Sequence, residues 1–401
     1  MEYEKIMILG GAENQLPLIL SAKKLGYYIV LCDYAEENKG RKYSDAFYCV
    51  STLDEQAVLH VAKTESVDGI ITNSEPAVPV SAYVANRLGL PSNPYNSMLI
   101  LSRKDLFREF LRDNGFNCPL SFVVSELEDA KDIVSNLQLP MMIKPADSSG
   151  SRGVCLIESK NEITKAFSDA MSFSKVKAVI LEEYIESANE FLIGGDIFVN
   201  NGKVMFWGLL NCIRDKSRNE FIPLGKSSPV KITKQQFEII KQTLQMIVDI
   251  LDIKFGAFNV ELIFGKSDQL FVIEMNPRNG GNRIPEFLKL LTGVDLFEAT
   301  VKAGVGVQEL NFEVSNIPKS KYMSTYILHS FTDGILTDVI FDDKIKQNIV
   351  EFKLYRNIGE LVNRFENAAD LIGIVFLEFY SEQEMNLRLK HIDEHIKIKV
   401  G

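Results

Sequence analysis

The sequence predicts an α/β protein whose N-terminal part is a doubly wound parallel sheet. Three observations carry that prediction. Short apolar runs alternate with helical stretches from Lys5 to Pro91, a hairpin around residue 267 presents two facing acids, and 401 residues suggest two or three domains.

The first strand is Lys5-Ile6-Met7-Ile8-Leu9, ending at Gly10-Gly11, and a helical stretch follows to about Leu25-Gly26. Tyr28–Cys32 is the next strand, ending at Asp33. Helical 54–66, strand Gly69–Thr72 and helical 77–89 complete the alternation that marks parallel strands. Gly10-Gly11 followed by Asp33 is only superficially a dinucleotide fingerprint. Gly-Gly-Ala-Glu-Asn is not G-x-G-x-x-G, which argues against NAD.

Ser102-Arg103-Lys104-Asp105 reads as a capping box opening the helix Leu106–Leu111, which stops at Gly115. Lys104 then lies in a first turn, where free N–H groups also favour anions. Met141–Pro145 is a strand carrying Lys144, 147–153 is a Ser/Gly loop, and Val154–Ile157 returns. Such a loop can lay backbone N–H groups over phosphates. It is not a Walker A loop, because the lysine precedes it. Read alone, it is an ordinary turn. Ala178–Leu181 runs as a strand into Glu182-Glu183-Tyr184-Ile185, with Glu190 beyond.

The most telling segment is the hairpin. Phe258–Phe264 is strand-like, Gly265–Gln269 turn-like, and Leu270–Asn276 returns. Folding about that turn sets Glu261 against Glu274, and the two-residue period puts Asn276 on the same face. Facing acids repel unless a cation lies between them. Three hard oxygen ligands suit Mg²⁺, which fills its shell with water and phosphate oxygens. Arg278 is placed to grip an anion bidentately.

Bulk composition narrows the function further. Hydrophobic residues at 46 % and charged residues at 24 % are ordinary for a soluble enzyme, and a net charge of −10 without a basic stripe argues against nucleic acid. No apolar run is long enough to span a membrane, and the charged N-terminus does not read as a signal peptide. Cys32, Cys49, Cys118, Cys155 and Cys212 are scattered, as expected of reduced cytoplasmic thiols. His391-Ile-Asp-Glu-His395 matches an inverted zincin spacing, but a closing amphipathic helix over Glu382–Ile396 explains it as well. Strands are expected at Tyr322–Phe331, Gly334–Phe341, Ile349–Leu354 and Ile374–Tyr380.

Glu274-Met-Asn-Pro-Arg-Asn-Gly-Gly281 resembles the metal-binding signature of the ATP-grasp superfamily, which includes carbamoyl-phosphate synthase, biotin carboxylase and the L-amino-acid ligases. The resemblance covers most of the chain and is strongest from Ser102 to Gly306. It implies an ATP-grasp fold divided into an N-terminal domain over 1–101, an ATP-grasp domain over 102–310 with a nucleotide lid at about 120–187, and a small α+β domain over 311–401. It implies ATP as cofactor with Mg²⁺ (Mn²⁺ can substitute) on Glu261, Glu274 and Asn276, and Arg278 steadying an acyl-phosphate. Lys104 and Lys144 would be the ATP lysines, and Ser148, Ser149, Gly150, Ser151 and Gly153 the phosphate lid. Glu182 or Glu183, with the backbone of Tyr184 and Ile185, would meet adenine, and Glu190 the ribose.

Together these residues predict an ATP-dependent carboxylate–amine ligase that releases ADP and phosphate, with an amino-acid- or peptide-type product. Its partners would be small carboxylates and amines, and a homodimer is compatible with the sequence. No Ser/His/Asp or Cys/His arrangement competes as a protein nucleophile. The rival enzymes are a bicarbonate-phosphorylating, carbamoyl-phosphate-synthase-like carboxylase and a purine-pathway synthetase. A non-catalytic nucleotide-binding protein would lack a metal acid, a lysine or the arginine, and none is missing. Glu13, Glu75, Arg214, Arg218 and Arg283 are equally readable as substrate contacts or as surface charges.

Overall fold

The computed structural model describes residues 4–148, 150–215, 219–312 and 322–401. Strands β1 (Lys5–Leu9), β2 (Tyr28–Asp33), β3 (Ala46–Cys49) and β4 (Gly69–Ile71) form a parallel sheet in the order β3-β2-β1-β4. A parallel sheet is covered on both faces, so consecutive residues Ile6 to Leu9 are all apolar and fully buried. Met7 and Leu9 pack with Val30 and Val58, whereas Ile6 and Ile8 pack with Leu18 and Ile19. Helices α1 (Leu16–Lys24), α2 (Glu55–Glu65) and α3 (Val78–Leu88) supply those covers. Asp54 starts α2 by accepting the N–H groups of Gln56 and Ala57.

The expected capping box at Ser102 does not form. Ser102 ends α4 (Tyr95–Ser102), and α5 (Lys104–Asp113) begins after the extended residue Arg103. The Ser102 hydroxyl is buried without a partner among the described residues, and Asp105 takes the Arg103 guanidinium instead. Lys104 still heads its helix.

Strands β5 (Ser121–Val124), β6 (Met141–Pro145), β7 (Cys155–Ile157) and β8 (Val179–Glu183) form an antiparallel sheet in the order β5-β8-β6-β7. Helices α6 (Leu127–Asn136) and α7 (Ile163–Phe173) cover one face of it, burying Met141, Ile143, Val179 and Leu181. Alternation therefore turns Met142, Lys144, Ile180 and Glu182 to the opposite face.

The largest sheet carries the acidic hairpin. Strands β9 (Leu192–Asn200), β10 (Lys203–Asp215), β11 (Asn219–Ser228), β12 (Gly256–Phe264) and β13 (Leu270–Asn276) run in the order β13-β12-β9-β10-β11. Strands from the C-terminal stretch extend it: β14 (Tyr322–Leu328), then β18 (Gly373–Phe379) and β16 (Ile349–Leu354). One face packs on α8 (Lys234–Ile250) through Ile193, Val260, Leu262 and Ile247. The other packs on α9 (Ile284–Thr292) and α10 (Leu296–Gly304) through Phe198, Leu210, Phe287 and Leu288, then turns polar toward the hairpin turn. Helix α10 also reaches the N-terminal sheet. A side chain at Gly69 would meet the Gly304 carbonyl oxygen at 2.2 Å, so only glycine allows that approach.

At the C-terminus the expected closing helix is shorter than the sequence suggests. It covers Glu382–Lys390, a short turn of helix spans Ile392–His395, and Ile396–Val400 is a strand, β19. That strand pairs with β15 (Gly334–Phe341), beside β17 (Leu361–Val362). The alternation in Ile396-Lys-Ile-Lys-Val400 is the physical reason, since alternate side chains face a core holding Ile396 and Ile398. His391 and His395 do not converge on a metal. His395 meets Asp342 at 2.8 Å, and His391 meets Glu394 at 3.0 Å. Among the described residues no helix is long and apolar enough to cross a membrane.

Candidate active site

Glu261 and Glu274 are direct cross-strand partners on β12 and β13, as the hairpin reading requires. Asn276 lies on the same face and donates its amide to Glu274 Oε2 at 2.9 Å. Across β9 the next position on this face is Gly194, opposite Glu261. Repulsion between the acids is relieved by two cations. Lys104 Nζ sits 3.0 Å from Glu274 Oε1, and Arg214 Nη2 sits 2.6 Å from Glu261 Oε1. Burial alone would raise the Glu274 carboxyl, but Lys104, the Asn276 amide and the Lys144 charge hold it down at about 2. Two charged carboxylates and an amide oxygen form a hard donor set, the kind that fits a magnesium ion.

Lys104 also donates to the Ser148 carbonyl at 2.6 Å, so one ammonium bridges the acidic hairpin and the Ser/Gly loop. The base of that loop is fixed by Asp147, which accepts from the Ser174 hydroxyl at 2.9 Å and from the Lys175 and Val176 N–H groups. The buried Ser148 hydroxyl has no partner among the described residues. Ser151 bonds the Phe221 carbonyl, tying the loop to β11. Gly150 and Gly153 take positive φ angles of 69° and 70°. Ser149 lies outside the described residues, as does Arg218.

Below the loop, Glu182 is 2 % exposed and shared by two cations, Lys144 and, at 3.0 Å, Arg108 Nε. Arg108 continues to the Ile273 carbonyl at 2.9 Å, which links α5, the β5–β8 sheet and β13. Burial opposes the Glu182 charge, and Arg108 and Lys144 together overcome it, leaving the carboxyl at about 2. The sequence left Glu182 and Glu183 equivalent. The structure separates them: Glu183 points to the other side of β8, is exposed, and accepts from the Leu120 N–H at 3.3 Å. Tyr184 and Ile185 leave β8 half-buried. Glu190 is exposed and pairs with Lys231 at 3.2 Å, which also meets Glu382.

Arg278 is aimed by its surroundings. Its Nη2 donates to Glu75 Oε2 at 2.9 Å and its Nη1 to the Asn279 carbonyl at 3.1 Å. The turn behind it rests on Asp196, 0 % exposed, which accepts from the Gly280 N–H at 2.9 Å and the Asn259 amide at 2.7 Å. Burial pushes the Asp196 carboxyl up to about 6, against the pull of those donors and of the nearby Arg278 and Lys226 charges. Lys226 lies on the same face of the sheet, its Nζ 2.8 Å from Cys212 Sγ, in the space left by the missing side chain of Gly194. Asp196, Arg108 and Lys226 all escaped the sequence reading. The Gly-Gly-Asp run inside an otherwise apolar strand was the available signal for Asp196.

Of the charges left open by the sequence, Glu75 and Arg214 are engaged in this site. Glu13 pairs with Lys353 at 2.6 Å and Lys39 at 2.8 Å. Arg283, at a positive φ of 60°, stacks over Phe376 and pairs with Glu351 at 2.6 Å. These two join segments far apart in sequence, and among the described residues neither is paired with the acidic hairpin.

Residues 103–311 match the family described as carbamoyl-phosphate synthase L chain, ATP binding domain, and residues 19–92 match the ATP-grasp N-terminal domain. The chain is 23 % identical over 358 residues to the carbamoyl phosphate synthase large chain of Thermotoga maritima, covering 85 % of this chain but 31 % of that protein. It thus spans about a third of that relative. Among solved structures, an L-amino acid ligase from Bacillus licheniformis superposes with a TM-score of 0.81 at 20 % identity, and a phosphoribosylglycinamide synthetase from Anaerococcus prevotii with 0.75 at 21 %. Both likenesses cover all of both chains.

Proposed function

The chain belongs to the family of the carbamoyl-phosphate synthase ATP-binding domain, an ATP-grasp family, and from that premise we propose that it is an ATP-dependent carboxylate–amine ligase releasing ADP and phosphate. The observation that carries the reading is the Lys104 ammonium, which touches both the acidic hairpin and the Ser/Gly loop. A triphosphate lying between those two elements would meet Lys104, Lys144 and the loop N–H groups of Ser148 to Gly153. Residues 102–310 would form the catalytic unit with its lid at about 120–187, flanked by the modules 1–101 and 311–401.

Glu261, Glu274 and Asn276 would hold Mg²⁺, which when bound neutralises the β- and γ-phosphates and leaves the γ-phosphorus open to attack. Lys104 and Arg214 neutralise the two acids here, and a cation held by those acids would free both side chains for phosphate oxygens. A substrate carboxylate then attacks the γ-phosphorus, giving an acyl-phosphate and ADP. Arg278 steadies the charge of the transferred group through its rigid fork, and Asp196 and Glu75 keep that fork aimed. An amine displaces phosphate to form the C–N bond. Glu182 orients Lys144, the backbone of Tyr184 and Ile185 is offered to adenine, and Glu190 reaches ribose by exchanging Lys231 for the sugar hydroxyls. Likeness to an L-amino acid ligase supports an amino-acid- or peptide-type product.

Screening ADP release against a matrix of small carboxylates and amines tests this reading. Sustained release should require one member of each class. ADP release that no carboxylate stimulates would overturn it.

A further inference from the structure

The cysteines of this chain are scattered, and one of them differs in kind from the rest. Cys32 is buried among apolar side chains, and the sulfurs of Cys49, Cys118 and Cys155 lie 3.3–3.5 Å from carbonyl oxygens. Cys212 Sγ instead lies 2.8 Å from Lys226 Nζ, much closer than those sulfur contacts. The contact follows from strand register. Cys212 and Lys226 are directly opposed on β10 and β11, so both side chains leave the same face of the sheet. Gly194 on β9, the other neighbour of β10, makes room for them. A Cβ at Gly194 would sit 2.7 Å from Lys226 Nζ and 2.8 Å from Cys212 Sγ, so any larger residue would displace both atoms. Glycine therefore leaves one shared hollow that a nucleophilic sulfur and a nucleophilic nitrogen enter together. Cys212 is 3 % exposed and Lys226 is part-exposed, so only a small oxidant following the lysine side chain inward reaches the sulfur. Neither atom has a part in the nucleotide chemistry above.

We infer that Cys212 and Lys226 form a redox modification site, at which hydrogen peroxide closes a reversible nitrogen–sulfur bond between the two side chains. In the first step the sulfur attacks a peroxide oxygen. The O–O bond breaks, an S–O bond forms and water leaves, so the thiol is oxidised to a sulfenic acid and the peroxide is reduced. In the second step the neutral Lys226 amine attacks that sulfur. The S–O bond breaks, an S–N bond forms, and the departing hydroxide takes a proton from nitrogen to leave as a second water. Thiol, amine and one hydrogen peroxide thus give the link and two waters. An amine already in contact captures the sulfenic acid before further peroxide oxidises it. An external thiol reverses the link by attacking its sulfur, which returns the amine and a mixed disulfide; a second thiol then frees the cysteine.

The link would change the floor of the proposed active site. It replaces an ammonium by a neutral nitrogen on the face that carries Glu261 and Asp196, and it pins β10 to β11 two residues from Arg214, the partner of Glu261. Oxidation should therefore lower ADP release. That consequence rests on the ligase reading above, whereas the link itself does not.

Peptide mass mapping of the full chain, treated with hydrogen peroxide and then catalase, tests the site without any need for turnover. In the wild type the peptide holding Cys212 should be joined to the peptide holding Lys226, at the sum of their masses less two hydrogens, and dithiothreitol should separate them. The exposed Cys49 is the reference thiol and should join no lysine. Lys226→Arg keeps the charge without the amine, so its Cys212 should pass on to the sulfinic acid. ADP release by the wild type should fall in proportion to the linked fraction and return with dithiothreitol, and Cys212→Ala should keep its own untreated rate after peroxide. A wild-type Cys212 that stays a free thiol, or that reaches the sulfinic acid without the link, would overturn the site. Complete linkage with undiminished ADP release would overturn its effect on the reaction. Linkage together with ADP release that no carboxylate stimulates would overturn the ligase reading and leave the modification site standing.

Discussion

Glu261→Gln and Glu274→Gln should each lower turnover by about 100- to 1000-fold, the scale of losing one preorganised charge contact in a transition state. The effect should fall on activity and spare the fold. Both acids are part-exposed, and each variant gives up one ion pair, Arg214 with Glu261 or Lys104 with Glu274, so the loss of stability should be small beside the loss of turnover. Neither glutamine can hold a dication as a carboxylate does, so raising Mg²⁺ should recover only part of the rate. Thermal melting and kcat at saturating ATP, measured together, check this. Wild-type turnover by either purified variant at ordinary Mg²⁺ would remove the hairpin from the mechanism.

Glu182→Gln should have the largest effect on stability, about 3–5 kcal/mol, because it leaves the buried Arg108 and Lys144 charges without their shared carboxylate. The pH dependence gives a second reading. The Glu182 carboxyl is held at about 2 in the folded protein against 4.5 unperturbed. Between those values the unfolded chain binds a proton that the folded protein does not. The stabilisation is therefore complete above pH 4.5 and is lost as pH falls toward 2. Glu274 behaves the same way. Asp196 acts in the opposite sense: its carboxyl lies at about 6 against 3.8, so it favours the folded state below pH 3.8 and loses that contribution as pH rises through 6. Urea midpoints from pH 2 to 7 should show a shallower acid-side loss in Glu182→Gln than in the wild type. Equal midpoints and equal acid slopes would contradict the buried triad.

The hairpin was legible because its information is local. A turn of Gly265 to Gln269 and a two-residue period suffice to oppose Glu261 and Glu274 and to align Asn276. The helix headed by Lys104 was legible for the same reason, although its cap was misread because Ser102 already belongs to the helix before it. The choice between Glu182 and Glu183 was not legible. It depends on the pairing of Met142 with Glu182, which sets which of two consecutive residues shares a face with Lys144. Arg108 was hidden likewise, since its partners lie 74 and 165 residues away. Glu75 reaches Arg278 across 203 residues, a contact no spacing rule anticipates. At the C-terminus the signal was present in Ile396-Lys-Ile-Lys-Val400, where alternation outweighed the helical pattern just before it.

In the proposed reaction a carboxylate substrate attacks the γ-phosphorus, and Glu261, Glu274 and Asn276 are the residues that would hold the metal. A substrate carboxylate labelled with oxygen-18 tests it most directly. In this account the attacking oxygen stays on phosphorus when the amine displaces it, so one labelled oxygen should appear in each phosphate released, with ADP as the other nucleotide product. Unlabelled phosphate, or AMP and pyrophosphate as products, would contradict it.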